Sequence, residues 1–202
     1  MRKILVLFAH PRFEHSVVNK AIISPVSGIP GVTFHDLYEK YPDFNIDVKF
    51  EQQLLLEHDV IIWHHPFYWY SCPPLLKQWI DLVLEFNWAY GPAGDKLSGK
   101  FAMNVITTGG NSDAYREGGR NRFKLNQLLT PFDQTAYLCR MQYLPPFAVQ
   151  GTHRLSKDEL LEHAGDYARL LSFLTDENYS PEILQKRETA NEFVKENLNY
   201  GK

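Results

Sequence analysis

Three short stretches hold the side chains able to do chemistry. The first, His10-Pro11-Arg12-Phe13-Glu14-His15-Ser16-Val17-Val18-Asn19, contains neither G-x-G-x-x-G nor the G-K-[ST] pattern, which argues against a Rossmann dinucleotide site and a P-loop. A helix beginning near Ser16 would offer free backbone N–H groups and a positive dipole end to a phosphate, helped by the Ser16 hydroxyl and the His10 imidazole. The same residues also suit a plain N-cap and a turn.

The second stretch, His64-His65-Pro66-Phe67-Tyr68-Trp69-Tyr70-Ser71-Cys72-Pro73-Pro74, sets four consecutive aromatic residues between prolines, which is hard to bury in a core. A planar ligand could contact their ring faces and nearby backbone amides. Aromatic stacking on a flat ring contributes about 1–3 kcal/mol per contact, against about 0.3–1 kcal/mol from a helix dipole, so this loop would set the affinity for a flat heterocycle. A dimer interface or a satellite hydrophobic cluster is the competing reading. His64 and His65 adjoin at a strand end and so face opposite ways, which disfavours joint metal chelation.

The third, Thr107-Thr108-Gly109-Gly110-Asn111-Ser112-Asp113-Ala114-Tyr115, allows close backbone approach at its paired glycines. Amide N–H groups there could donate to a ligand's carbonyl edge or to developing negative charge. Downstream, Arg116, Arg120, Arg122 and Lys124 face only Glu117. That run reads either as a solvated helix start or as a contact for the phosphates of an anionic cosubstrate. There is no G-x-S-x-G, no H-E-x-x-H and no evident nucleophile–base pair. A planar-ring site without such machinery suits chemistry carried by a bound cofactor.

These stretches need a scaffold that sets them side by side. Apolar, β-branched runs at Ile4 to Ala9, Val32 to Leu37, Val60 to Trp63, Phe101 to Thr107 and Gln142 to Gln150 alternate with helical patterns. Continuous rather than alternating apolar runs mark strands covered on both faces, so the expected fold is α/β, a doubly wound five-stranded parallel sheet with helices on both faces. Ligands then belong beyond the carboxyl ends of the strands, where all three stretches begin. Pro73-Pro74 suits the first turn of a helix with Leu75, Leu76, Trp79, Ile80, Val83 and Leu84 as its core stripe. Ser156 and Glu159 form a capping box, flanked by Leu155 and Leu160, and start the last core helix. Beyond Asp176, Ser180-Pro181 opens one further helix with sparse apolar positions at Ile183, Leu184, Phe193 and Val194.

Composition limits the remaining classes. The 202 residues are 44% hydrophobic and 22% charged, enough for one full core. A net charge of −3 gives no reason to expect nucleic acid or an anionic surface as partner. The two cysteines, Cys72 and Cys139, build neither a disulfide framework nor a zinc site, which fits a reduced, cytoplasmic protein. Ile4 to Ala9 is too short for a signal segment or a membrane span.

Taken in order, the motifs resemble the NAD(P)H:quinone oxidoreductase family of flavodoxin-like flavoproteins. Within it, the sequence is most similar to bacterial quinone reductases ancillary to glutathione-gated potassium efflux systems. The carriers are Ala9-His10-Pro11 with Ser16 to Asn19, Leu37-Tyr38, Tyr41-Pro42-Asp43-Phe44-Asn45-Ile46-Asp47, Pro66-x-x-Trp69-Tyr70-Ser71-x-Pro73-Pro74-Leu75-Leu76-Lys77-x-Trp79-Ile80-Asp81, Trp88-Ala89-Tyr90-Gly91, Thr107 to Gly110 and Leu144-Pro145-Pro146-Phe147.

The resemblance covers about Arg2 to Asp176. It implies a flavin-binding domain over 1–176 followed by a C-terminal helical tail over 177–202. It further implies FMN or FAD with its phosphate at His10 and Ser16, Val17, Val18 and Asn19, its ring against Phe67, Tyr68, Trp69 and Tyr70, and its pyrimidine edge at Thr107, Thr108, Gly109 and Gly110. Tyr115 matches the family's aromatic residue beside the nicotinamide and quinone, while Arg120 and Asn121 stand where the family often has a histidine. The implied protein is a homodimer in which NADPH or NADH and a quinone, or a similar small electrophile, take turns on one flavin face. The basic run from Arg116 to Lys124 favours NADPH. Two alternatives carry other roles: a regulatory subunit on a membrane potassium transporter, with the flavin site sensory or structural, and a one-electron flavodoxin carrier.

Overall fold

In the computed structural model, which describes residues 1–198, the apolar runs form a parallel sheet. The strands are β1 (Ile4–Phe8), β2 (Val32–Asp36), β3 (Val60–Pro66), β4 (Phe101–Thr108), β5 (Gln142–Tyr143) and β6 (Phe147–Gln150). Their order is β2-β1-β3-β4, with β5 and β6 sharing the fifth position beside β4. Counted by position the sheet is five-stranded with the flavodoxin-like order, and its switch point lies between β1 and β3.

The helices are α1 (Val17–Ile23), α2 (Leu37–Lys40), α3 (Val48–Glu57), α4 (Pro74–Val83), α5 (Leu125–Leu128), α6 (Thr130–Leu138), α7 (Lys157–Thr175) and α8 (Ala190–Asn197). Side chains alternate across a strand, so β1 sends Leu5 and Leu7 to a cluster with Leu55, Trp79 and Phe132, and Ile4 and Val6 to one with Ile22, Tyr167 and Leu171. Both faces of the inner strands are therefore dry. Each fully buried aliphatic chain stabilises the fold by about 1.5–3 kcal/mol. The α3 residue Glu51 is fully buried, and its carboxylate accepts from Tyr41 Oη and Trp79 Nε1 (2.8 Å) and pairs with His35 Nε2 (2.8 Å). This polar knot ties β2 and the segment after α2 to α4.

The local signals for helix starts agree with the structure. Ser16 caps α1 by accepting from the Asn19 N–H, Ser156 and Glu159 form a reciprocal capping box on α7, and Pro74 occupies the first turn of α4.

Four boundaries differ from the sequence reading. The run Gln142 to Gln150 is interrupted at Leu144-Pro145-Pro146, because a proline has no N–H for the ladder. β3 continues to Pro66, so His64 and His65 are fully buried strand residues rather than loop residues. They do face opposite sides: His64 meets Phe8 and Tyr167 edge-on, whereas His65 stacks on Phe132. The basic segment from Arg116 to Lys124 is a series of turns, and α5 starts only at Leu125. Finally, the tail is not one helix. Ser180 caps a 3-10 segment, Pro181–Lys186, and Thr189 caps α8 separately.

Leu184, Ala190, Phe193 and Val194 pack into this chain's own core beside α7, while Ile183 is exposed. Asn191 fastens the tail to β6, its Oδ1 accepting from the Ala148 N–H at 2.8 Å. Among the described residues no helix is long and apolar enough to cross a membrane, and no cluster of His, Cys, Asp or Glu is arranged to hold a metal ion.

Candidate functional site

The carboxyl ends of β1, β3, β4 and β6 open onto two neighbouring cavities. One, of about 560 Å³, is bounded by His10, Arg12, Ser16, Val17, Val18 and Asn19 from the β1 side, by Phe67 and Tyr68, and by Thr107 and Gly109. The other, of about 690 Å³, lies against Trp69, Tyr70, Gly110, Tyr115, Arg120 and Arg154. Phe67, Gly109 and His153 border both.

In the first cavity, Ser16 Oγ accepts from the Asn19 N–H (3.2 Å) and from Asn19 Nδ2 (3.0 Å). The N–H groups of Val17 and Val18, being first in the helix, have no intrahelical acceptor. Asn19 is 2% exposed and also donates through Nδ2 to Thr107 Oγ1 at 3.3 Å, which joins the α1 start to the end of β4. Its Oδ1 is buried without a protein partner. Burial holds the His10 imidazole below its usual pKa, so at neutral pH it is uncharged. His10 Nδ1 accepts from the Arg12 N–H at 3.2 Å, which leaves the proton on Nε2 as a donor.

The aromatic loop is held by its backbone: the Phe67 N–H donates to the Thr107 carbonyl (2.9 Å) and the Ser71 N–H to that of Tyr68 (3.0 Å). Phe67 is buried, whereas Trp69 is 92% exposed. Trp69 and Tyr70 both sit in the left-handed region, at φ 51° and 62°, where a residue with a Cβ costs roughly 1–2 kcal/mol. An exposed tryptophan on a strained backbone adds little to folding. Tyr70 Oη donates to Asn121 Oδ1 at 3.3 Å, and the Tyr70 ring meets Phe67 edge-on.

The glycine pair is tightly framed. A Cβ on Gly109 would lie 3.0 Å from His153 Nε2, and one on Gly110 would lie 3.1 Å from the Tyr115 ring. The N–H groups of Gly109 and Gly110 donate to no protein acceptor among the described residues, so they remain available to a ligand. Thr108 borders neither cavity; its buried hydroxyl donates to the Gly110 carbonyl at 2.7 Å and shapes the turn. Burial raises the pKa of the Tyr115 phenol, which therefore stays protonated and able to donate at neutral pH.

Of the residues assigned to the flavin, nicotinamide and quinone, all but Thr108 border this pair of cavities; of the basic run only Arg120 does, while Arg116, Arg122 and Lys124 do not. Residues given no role in the sequence reading border them as well, among them Arg12, His153 and Arg154. A signal for the last two existed, because Gly151-Thr152-His153-Arg154 directly follows the fifth strand and so falls on the same sheet edge. No side chain at position 120 or 121 is an imidazole; the imidazole of this region comes from His153.

The donor set suits a flavin mononucleotide. Unpaired N–H groups, a hydroxyl and a neutral imidazole donor can hold a phosphate, aromatic side chains can wall a flat ring, and free glycine amides can donate to a polar edge. The buried, unpartnered Asn19 Oδ1 is a further polar atom that a ligand can satisfy.

Comparison with known proteins follows the same line. A family model described as a flavodoxin-like fold matches residues 2–171. The glutathione-regulated potassium-efflux system ancillary protein KefG of Pectobacterium atrosepticum is 48% identical over 170 residues, 84% of this chain and 93% of the relative. Among solved structures, general stress protein 14 of Treponema denticola in complex with FMN superposes with a TM-score of 0.81 and 38% identity, covering 85% of this chain and 99% of that one. An NADPH-quinone reductase of P. pentosaceus gives a TM-score of 0.76 and 34% identity, covering 83% and 96%. A chain described as a thermophilic tryptophan halogenase from Streptomycin violaceusniger gives 0.79 and 45%, covering 81% and 95%.

Proposed function

This chain belongs to the flavodoxin-like NAD(P)H quinone reductase family, and from that premise we propose that it is a flavin-dependent oxidoreductase moving two electrons from NAD(P)H to quinones or similar small electrophiles. The observation that carries the reading is the junction of the two cavities at Phe67, Gly109 and His153. It sets the donor groups of the α1 start, the aromatic walls and the glycine edge next to one another, as a ligand with a phosphate and a flat ring would need.

FMN is the favoured cofactor, since the Treponema relative is described as an FMN complex; FAD would use the same ring walls. Bound there, the flavin would supply a ring able to accept hydride from nicotinamide and pass two electrons to the acceptor. The protein's part is placement. Ser16 to Asn19 and His10 hold the phosphate, Phe67 to Tyr70 exclude water from the ring, and the Gly109 and Gly110 N–H groups stabilise negative charge at its polar edge. The protonated Tyr115 phenol offers a hydrogen bond to the substrate in the second cavity. Every residue in these roles lies within 1–176, and the tail as far as residue 198 serves packing.

Because donor and acceptor share one face, they must alternate. Steady-state rates at varied NADPH and benzoquinone are therefore expected to give parallel double-reciprocal lines. Converging lines, or no quinone reduction by the flavin-loaded protein, would overturn the proposal.

A second role rests on a specific finding. The KefG relatives, at 47–48% identity, are described as ancillary proteins of a potassium-efflux system, so we also propose peripheral docking, from the cytoplasm, on a membrane potassium transporter. Co-purification with such a transporter tests this, and its absence from the purified transporter complex argues against it. A homodimer is proposed from the family resemblance and is tested by solution mass.

A further inference from the structure

The second cavity carries more positive charge than a quinone needs. Arg120 and Arg154 both border it, and neither guanidinium pairs with a carboxylate among the described residues. Among the described residues the only carboxylate on its wall is Asp113, which faces Arg116 at 3.8 Å. A neutral quinone gains little from two guanidinium groups, and the phosphate donors of the first cavity are a separate set. Resting on the function proposed above, we infer that Arg120 and Arg154 form a subsite for a terminal phosphomonoester, the 2′-phosphate by which NADPH differs from NADH.

The loops that carry the two arginines are fixed. Gly151 (φ 71°) turns the chain after β6, its N–H donating to the Gly110 carbonyl (2.9 Å), while the Thr152 N–H donates to the Thr108 carbonyl (3.0 Å) and the Arg154 N–H closes back on Gly151 (2.9 Å). Arg154 is thereby stitched beside the glycine turn. On the other loop, the Gly119 N–H donates to the Arg116 carbonyl and the Asn121 N–H to that of Ala114, both at 2.9 Å. A Cβ on Gly119 would fall 2.5 Å from the Asp113 carbonyl oxygen, so the loop closes only with glycine there. Asn121, the next residue, is in turn bonded to Tyr70.

The chemistry selects a monoester. A phosphomonoester carries a charge of about −1.5 to −2 and three acceptor oxygens, which two planar guanidinium forks can match. Each phosphate of the pyrophosphate common to both nucleotides carries about one charge and fewer free oxygens. Arginine suits this task because its donors are fixed in a fork and its charge is permanent.

The test uses the full chain, with and without added FMN, and calorimetric binding of adenosine 2′,5′-bisphosphate against 5′-AMP. The bisphosphate is expected to bind about tenfold tighter or more. Arg154→Gln and Arg120→Gln should each remove most of that preference while leaving 5′-AMP and FMN affinity unchanged. Arg122→Gln, a guanidinium of the same segment that does not border the cavity, should change nothing. A preference that is absent, survives the Arg120/Arg154 double variant, or falls equally in Arg122→Gln would overturn the inference. Failure to take up FMN would instead count against the proposed function, and the two readouts are separate.

Discussion

Replacing Asn19 with leucine separates what this side chain does for folding from what it does for a ligand. Its Nδ2 makes hydrogen bonds to Ser16 Oγ at 3.0 Å and Thr107 Oγ1 at 3.3 Å, each contributing about 0.5–1.5 kcal/mol net. Its Oδ1 is buried without a partner, at a desolvation cost of about 1–3 kcal/mol. Leucine has a similar volume and removes both the gain and the cost, and the two hydroxyls left behind can rotate. The terms cancel to within about 1 kcal/mol, so the Tm of the flavin-free protein should move by no more than about 2–4 °C for a chain of this length. With ligand present there is no cancellation. The bound molecule loses a polar partner worth about 1–3 kcal/mol, which corresponds to about 5- to 150-fold weaker FMN binding. Thermal unfolding of the flavin-free variant and a fluorescence titration with FMN read the two quantities separately. Unchanged FMN affinity would refute the placement of Asn19 at the cofactor. A Tm loss of about 10 °C or more would refute the cancellation and make Asn19 a structural residue first.

Burial pushes the pKa of His64 down to about 3 and that of His65 down to about 4, below the unfolded value of about 6.5. Their contribution to stability is therefore complete above about pH 6.5 and is lost as the pH falls towards about 4 and about 3, by up to about 1.4 kcal/mol per pH unit for each. Urea midpoints at pH 7 and pH 5 should show a smaller acid loss in His64→Leu than in the parent, and equal losses would contradict this. Glu51→Ala leaves Tyr41, Trp79 and His35 without their shared acceptor and is expected to cost about 3–5 kcal/mol, seen as a Tm fall of roughly 6–20 °C; a fall under about 2 °C would show that the knot is dispensable. Trp69→Ala removes a side chain that is 92% exposed, so the Tm should stay within about 2 °C. The same variant should raise the KM for benzoquinone about 5- to 150-fold if the ring stacks on the acceptor, whereas an unchanged KM would show that it does not.

Much of this arrangement was legible in the sequence because the signals were local. Ser16, Ser156 with Glu159, and Pro74 each mark a helix start through side-chain or ring chemistry confined to one turn, and each stands where expected. Ile4 to Phe8 and Val60 to Trp63 read as doubly covered strands, and both lie in the buried middle of the sheet. What local pattern did not show was set by long-range partners. Whether His64 and His65 belong to a strand depends on β4 running alongside as far as Thr107, the partner of Pro66. The division of the tail into two pieces depends on what it meets: the Ala190 N–H donates to Pro146, and Leu184 fills the core beside α7. A lone histidine and arginine carry no motif, so the one sequence signal for His153 and Arg154 is their place just after the fifth strand, and the convergence of four strand ends gives that place its meaning.

The central claim is that the cavities at this sheet edge hold a flavin that nicotinamide reduces and a quinone reoxidises. An anaerobic absorbance titration of the FMN-loaded protein tests it most directly. The account predicts that NADPH bleaches the flavin band in a ratio of about one nucleotide per flavin, as expected for a two-electron hydride donor, and that benzoquinone restores it. A protein that takes up no FMN or FAD, or whose flavin band is untouched by both NADPH and NADH, would contradict the account.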